Sequence, residues 1–140
     1  MVDKVYLSAQ GLLEDSFRLG LEIFKSEFRP DFIVGVWRGG TPVGIAVQEI
    51  LDNLGVKTDH ISIRTSSYTG IGERGRKVRV HGLDYIIRNV DAHHSLLIVD
   101  DVFDTGLSIK AVIDTLRTKA RLNTPNDIRI ATPWFKPANN

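Results

Sequence analysis

Residues 100–108, Asp-Asp-Val-Phe-Asp-Thr-Gly-Leu-Ser, hold three carboxylates and two hydroxyls within nine positions. Leu96-Leu97-Ile98-Val99 runs directly into them, and an apolar helical pattern follows. This predicts a buried strand that ends in acids, turns through Gly106 and starts a helix. Asp100 and Asp101 then stand at the rim of a sheet, where paired carboxylates can bind Mg²⁺ or accept hydrogen bonds from sugar hydroxyls. The hydroxyls of Thr105 and Ser108, with the free N–H groups of 104–108 at a helix N-terminus, suit a monophosphate. Helix capping by Asp104 or Thr105 accounts for one of these polar residues, not for all five. The chemistry indicated is the holding of a sugar phosphate and its metal.

Other groups could join this chemistry. In Arg38-Gly39-Gly40, glycines let the backbone approach a ligand and the arginine adds a charged donor. A Gly-Gly turn before a helix is also common on its own. Ser66-Ser67-Tyr68 opens a polar stretch running to Lys77, with Gly70, Gly72 and Gly75 and the cations Arg74 and Arg76. It predicts a long mobile loop over about 66–77, either a lid or a solvated charged loop. Lys136 stands between Phe135 and Pro137. His93-His94 invites a metal reading, but adjacent side chains point apart, so a loop before a strand accounts for them better. Trp37 and His81 carry no role that the sequence assigns.

These residues need elements to position them. Ser8 is placed to cap a first helix whose buried face is Leu12, Leu13, Phe17, Leu21, Phe24 and Phe28, ended by Arg29-Pro30. Residues 32–36 form an apolar strand. Thr41 at N-cap and Pro42 at N1 start the next helix, with Val43, Ala46, Val47, Ile50, Leu51 and Leu54 as its stripe and Gly55 as its stop. Further strands are expected over 60–64, 78–80, 96–99 and 128–131. A helix is expected over 107–121, with Ile109, Val112, Ile113 and Leu116 inward, and residues 84–95 remain ambiguous. Strands alternating with helices imply an α/β fold with a mostly parallel sheet. Ligands of such sheets sit beyond the carboxyl ends of the strands, so the clusters at 38–40, 66–77 and 100–108 should converge on one edge.

Composition sets the class. The chain has 140 residues, which suits one domain over 1–140. With 42% hydrophobic and 25% charged residues it reads as soluble and globular. A net charge of +1 argues against a broad nucleic-acid surface, although Arg64, Arg74, Arg76, Lys77 and Arg79 cluster around Glu73. No apolar run reaches the length of a membrane span, and the first residues lack a signal-peptide core. The chain has no cysteine, which excludes thiolate metal sites and disulfides and fits a cytoplasmic location.

Residues 98–108 resemble the phosphoribosyl-pyrophosphate (PRPP) motif of type I phosphoribosyltransferases, in which the last position is more often Thr and Ser108 keeps the hydroxyl. Arg38-Gly39-Gly40 resembles that family's pyrophosphate loop, which often holds a non-proline cis bond. Ser67-Tyr68 resembles the start of its flexible catalytic loop. In the purine branch, a lysine at the place of Lys136 contacts the 6-oxo group of the base. The resemblance spans about 32–136. It implies a type I phosphoribosyltransferase-like α/β fold, a mostly parallel twisted sheet flanked by helices. The C-terminal hood that helps cover the base is expected to be missing, because the chain stops at Asn140.

The activity implied is purine salvage: a pentosyltransferase moving ribose 5-phosphate from PRPP to hypoxanthine, guanine or xanthine, with Mg²⁺ and release of pyrophosphate. By the same resemblance, Asp100 and Asp101 hold the ribose hydroxyls and the metal, Asp101 more directly. Asp104, Thr105, Gly106, Leu107 and Ser108 hold the 5-phosphate, and Asp104 accepts the purine proton. Arg38, Gly39 and Gly40 hold pyrophosphate, while Ser67, Tyr68, Arg74, Arg76 and Lys77 belong to the closing loop. The partners implied are PRPP, a purine base and further copies of the chain in a homodimer or higher oligomer, with no nucleic acid or membrane. A non-catalytic PRPP-binding regulator of the same fold is the alternative. A phosphotransfer receiver domain leaves Thr105-Gly106 and Arg38-Gly39-Gly40 unexplained. A Walker-type nucleotidase lacks its Gly-Lys-Ser/Thr.

Overall fold

The computed structural model describes residues 9–69, 77–103 and 106–135. The elements run α1 (Ala9–Lys25), β1 (Phe32–Trp37), α2 (Gly40–Asn53), β2 (Asp59–Tyr68), β3 (Lys77–His81), α3 (Asp84–Asn89), β4 (Ser95–Val99), β5 (Val102–Phe103), α4 (Leu107–Ala120), β6 (Asp127–Ala131) and β7 (Trp134–Phe135). Five strands form one sheet in the order β3-β2-β1-β4-β6. All neighbours are parallel except β2 and β3. This is the α/β fold with a mostly parallel sheet expected from the alternation of strands and helices.

Strands β1 and β4 read as unbroken apolar runs because helices cover both faces of the sheet. Their side chains alternate between two cores. Phe32, Val34, Val36, Leu96 and Ile98 pack with Ile86 of α3 and with Ile109, Val112 and Leu116 of α4. Ile33, Leu97 and Val99 pack with Ile23 of α1 and with Val43, Val47 and Leu51 of α2. The ambiguous stretch 84–95 contains α3, anchored by the fully buried Ile86. His93 and His94 lie in the turn before β4, as expected, where His94 Nδ1 accepts a hydrogen bond from the Asp91 N–H.

Several local expectations are corrected. The buried face of α1 is met in part: Leu12, Phe24 and Phe28 pack in the core, but Leu13 and Leu21 are 48% and 40% exposed, and Ser16, Gly20 and Ile23 face inward. Close approach of α1 to α2 decides this. A Cβ on Gly20 would stand 3.1 Å from Ile50 Cβ, so a small residue is needed there. Ser16 is satisfied by donating to the Leu12 carbonyl at 2.7 Å. Counting apolar residues cannot reveal a face chosen for smallness.

Helix α2 begins at Gly40 with Gly39 as N-cap, not at Pro42 with Thr41 as cap. Pro42 still lies in the first turn, where its missing N–H costs nothing. The Thr41 hydroxyl turns instead to Ser62 Oγ at 3.0 Å. Ser66, Ser67, Tyr68 and Lys77, read as loop, are strand: Ser66 pairs with Arg79, Ser67 with Val78 and Tyr68 with Lys77. An antiparallel ladder satisfies their backbone groups, and polar side chains suit faces left partly in water. Arg74 and Arg76 lie outside the described residues. The pairing of β5 with β7, Val102 with Trp134 and Phe103 with Phe135, has no signature in the sequence. Among the described residues no helix is long and apolar enough to cross a membrane.

Candidate active site

The central strands β1 and β4 are hydrogen-bonded neighbours, with Gly35 opposite Val99. Each therefore delivers its following residues to the same carboxyl edge: 38–40 after β1 and 100–101 after β4. The two segments touch. A Cβ on Gly40 would overlap the Val99 carbonyl oxygen and stand 2.9 Å from Asp100 Cα. A Cβ on Gly39 would overlap the Asp101 carboxylate. The glycine pair is thus a packing requirement: it lets the turn sit on the acid-bearing end of β4. The peptide bond Trp37–Arg38, at the start of this turn, is cis. Arg38 is exposed beside it.

Asp100 is half-buried, and its N–H donates to the Ala131 carbonyl of β6 at 3.3 Å. Its carboxylate accepts the Asp101 N–H at 2.8 Å. Burial, with the side-chain hydrogen bond and charge of Asp101 added, pushes the Asp100 carboxyl up to about 7, against the opposing effect of the Asp101 N–H. One acid of the pair is therefore poised to release its proton near neutrality, where a cation placed between them would draw it off.

Gly106 adopts a left-handed conformation, φ 76°, and caps α4. A side chain is disfavoured at that φ, so glycine is what lets the chain turn from β5 into the helix. Its carbonyl accepts the Lys110 N–H at 2.8 Å. Leu107 is exposed, and Ser108 lies half-buried in the first turn, where its Oγ accepts a 3.4 Å hydrogen bond from Thr65 Oγ1 of β2. The strand end at 100–101 and the start of α4 at 106–108 therefore lie on the same edge as the 38–40 turn. Asp104, Thr105 and Lys136 lie outside the described residues. Tyr68 and Lys77 are the pair of the β2–β3 hairpin next to the connection between the two strands, with the Arg79 guanidinium 4.5 Å from the Tyr68 ring centroid.

His60 is a residue whose importance the sequence does not show. Its ring fills the space left by Gly35 and Gly44: a Cβ on Gly35 would lie 2.9 Å from His60 Nε2. That nitrogen is buried with no hydrogen-bond partner among the described residues, and burial holds the His60 pKa below its usual value. The signal available was Gly44, a glycine inside a helix. Thr65 is a second such residue, sequence-remote from Ser108 and joined to it only by the fold.

The chain matches the phosphoribosyl transferase domain over residues 5–140. It belongs to that family, whose members use PRPP and a base as substrates. Among solved structures it is similar to a purine phosphoribosyltransferase from Pyrococcus horikoshii Ot3, at 28% identity and a TM-score of 0.71, covering 97% of this chain and 80% of that one. It shares its fold with a Helicobacter pylori xanthine-guanine-hypoxanthine phosphoribosyltransferase, at 20% identity and TM-score 0.66, covering 96% and 79%. It shares it also with a hypothetical protein from Neisseria gonorrhoeae with bound ppGpp, at 16% identity and TM-score 0.76, covering 94% and 71%. No curated protein sequence matches the chain.

Proposed function

We propose that this chain transfers ribose 5-phosphate from PRPP to a 6-oxopurine, releasing pyrophosphate. The observation that carries the reading is the seating of the Gly39-Gly40 turn on the Asp100-Asp101 strand end. On this reading the turn takes the leaving pyrophosphate and the strand end beneath it takes the ribose. The likeness to the Pyrococcus horikoshii purine enzyme supports the purine class of acceptor.

Arg38 and the backbone N–H groups of 39–40 take the pyrophosphate. Asp100 and Asp101 accept hydrogen bonds from the ribose hydroxyls. The turn 104–108 takes the 5-phosphate, its amides and the Ser108 hydroxyl donating to the anion. As the bond to pyrophosphate breaks, positive charge develops at the anomeric carbon and a purine nitrogen attacks it. Asp104 accepts the proton that this nitrogen loses. Lys136 donates to the 6-oxo group, and the β2–β3 hairpin end, with Tyr68 and Lys77, helps exclude water.

The residues present fit Mg²⁺. Among the described residues no group of three potential ligands stands together. Mg²⁺ commonly needs only one or two carboxylates and completes its shell with water and substrate phosphates. Asp101 and Asp100 supply that oxygen pair. Bound there, the ion supplies charge neutralisation for the departing pyrophosphate.

The test is a panel of hypoxanthine, guanine and xanthine with PRPP and Mg²⁺, following pyrophosphate release. Turnover with at least one base is expected. Calorimetric binding of PRPP without turnover on any base would make the chain a binding regulator instead, and no PRPP binding would remove both readings.

A further inference from the structure

One part of the sheet remains uncovered beside this site. Trp37 of β1 is in register with Arg64 of β2, and Arg64 with His81 of β3. Residues opposite one another across a ladder point to the same face, so these three form one transverse row. Helix α2 meets that face at Ser62, whose Oγ lies 3.0 Å from the Thr41 hydroxyl. Beyond it lies a cleft of about 270 Å³ lined by Trp37, Ser62, Ile63, Arg64, His81 and Gly82.

The lining has a definite chemistry. The Trp37 side chain is 53% exposed, an uncommon state for an indole that serves only packing. Arg64 is exposed, and its guanidinium makes no hydrogen bond or ion pair with any described residue. The His81 ring lies alongside, its Nε2 at 3.0 Å from Ser66 Oγ. Among the described residues no carboxylate lines the cleft. None of these side chains takes part in the transfer mechanism given above.

We propose that this cleft is a second anion subsite, separate from the phosphate turns, which takes a mononucleotide. The base stacks on the Trp37 indole and the phosphate meets Arg64 beside His81. The planar guanidinium fork matches phosphate oxygens, and an aromatic face accepts any base without needing its edge pattern. The volume lies just below the range of about 300–1,000 Å³ usual for ligand pockets, so one ring with one phosphate fits better than a dinucleotide. Trp37 leads directly into the Arg38-Gly39-Gly40 turn, so the cleft lies beside the pyrophosphate side of the proposed active site.

The experiment is calorimetric titration of the full chain with GMP, repeated on Arg64→Met, Trp37→Leu and Ser108→Ala. Two classes of GMP site per chain are expected. Arg64→Met and Trp37→Leu should each weaken one class about tenfold or more, with the KM for PRPP within about twofold of wild type, and Ser108→Ala should weaken only the other. A single class, lost in Ser108→Ala and unmoved by Arg64→Met, overturns the proposal. So does inorganic phosphate displacing GMP from the Arg64-dependent class at equal concentration, since the indole would then contribute nothing. Failure of the transferase reading shows itself differently, as absent turnover in the wild type, and leaves the Arg64-dependent class measurable.

Discussion

Gly39→Ala and Gly40→Ala add the same methyl group to adjacent residues, and the structure gives them different outcomes. Neither position requires positive φ: Gly39 has φ −66° and ψ −33°, and Gly40 is the first residue of α2. Alanine is therefore conformationally permitted at both, and at Gly40, inside α2, it gains about 0.5–1 kcal/mol over glycine. At Gly40 the methyl meets backbone, overlapping the Val99 carbonyl oxygen and lying 2.9 Å from Asp100 Cα and 3.1 Å from Val99 C. That backbone is held on both sides, by β1 and β6. Overpacking costs about 1–3 kcal/mol, and contact with fixed backbone takes the upper part, about 2–3 kcal/mol, which leaves a net loss of about 1–2.5 kcal/mol after the helical gain. For a chain of this size that lowers Tm by about 3–8 °C. At Gly39 the methyl meets only the Asp101 carboxylate, the end of a side chain that can rotate away. Its Tm should stay within about 3 °C of wild type, while PRPP affinity falls because the displaced carboxylate is a proposed ribose and metal ligand. Thermal denaturation of the ligand-free proteins, with PRPP titration in Mg²⁺, reads both. A Gly40→Ala protein that melts with the wild type, or equal losses at the two positions, would refute the close seating of the turn on β4.

Other outcomes follow from the same site. Asp104→Ala should lower kcat by about 10²- to 10⁴-fold with the fold intact, and an unchanged rate removes Asp104 as the general base. Asp100→Asn combined with Asp101→Asn should weaken PRPP binding, and wild-type affinity by calorimetry contradicts the ribose and metal assignment. Because Asp100 moves from 3.8 to about 7 on folding, the folded chain keeps a proton that the unfolded chain has released. The ligand-free protein should therefore lose stability as pH rises through that interval, and the difference from Asp100→Asn in urea midpoints across the interval measures this slope. Leu116→Ala, at a fully buried position of α4, should cost about 2–5 kcal/mol by urea denaturation, and a smaller loss would mean that the core under the phosphate turn can collapse around the cavity.

What could be read from the sequence was whatever local chemistry determines. Unbroken apolar runs gave β1 and β4, because strands covered on both faces need no alternation. The acids after β4 and the glycines after β1 marked the edge where the structure brings them together. The face of α1 was partly misread because Ser16 and Gly20 are buried for their size, a property of the partner helix. The ends of the β2–β3 hairpin were misread because Ser66, Ser67 and Lys77 look like loop until a second strand supplies their hydrogen bonds. Thr65 against Ser108, His60 between two glycines, and Trp37 beside Arg64 join residues far apart in the chain. Only the register of the sheet places them, and no local pattern carries it.

The short parallel ladder of β5 and β7 has a consequence for fidelity of the reaction. Phe103 is paired with Phe135, and the residues that follow them are Asp104 and Lys136. The proposed proton acceptor and the proposed reader of the 6-oxo group are thus the next links after one hydrogen-bonded pair, whose strands lie about 4.8 Å apart. Strand register fixes Phe103 against Phe135, the two residues from which the chain continues to them. A slip of one residue would put a different residue of one strand opposite Phe103 or Phe135. The ladder is a common zero mark for the two proposed contacts with the base.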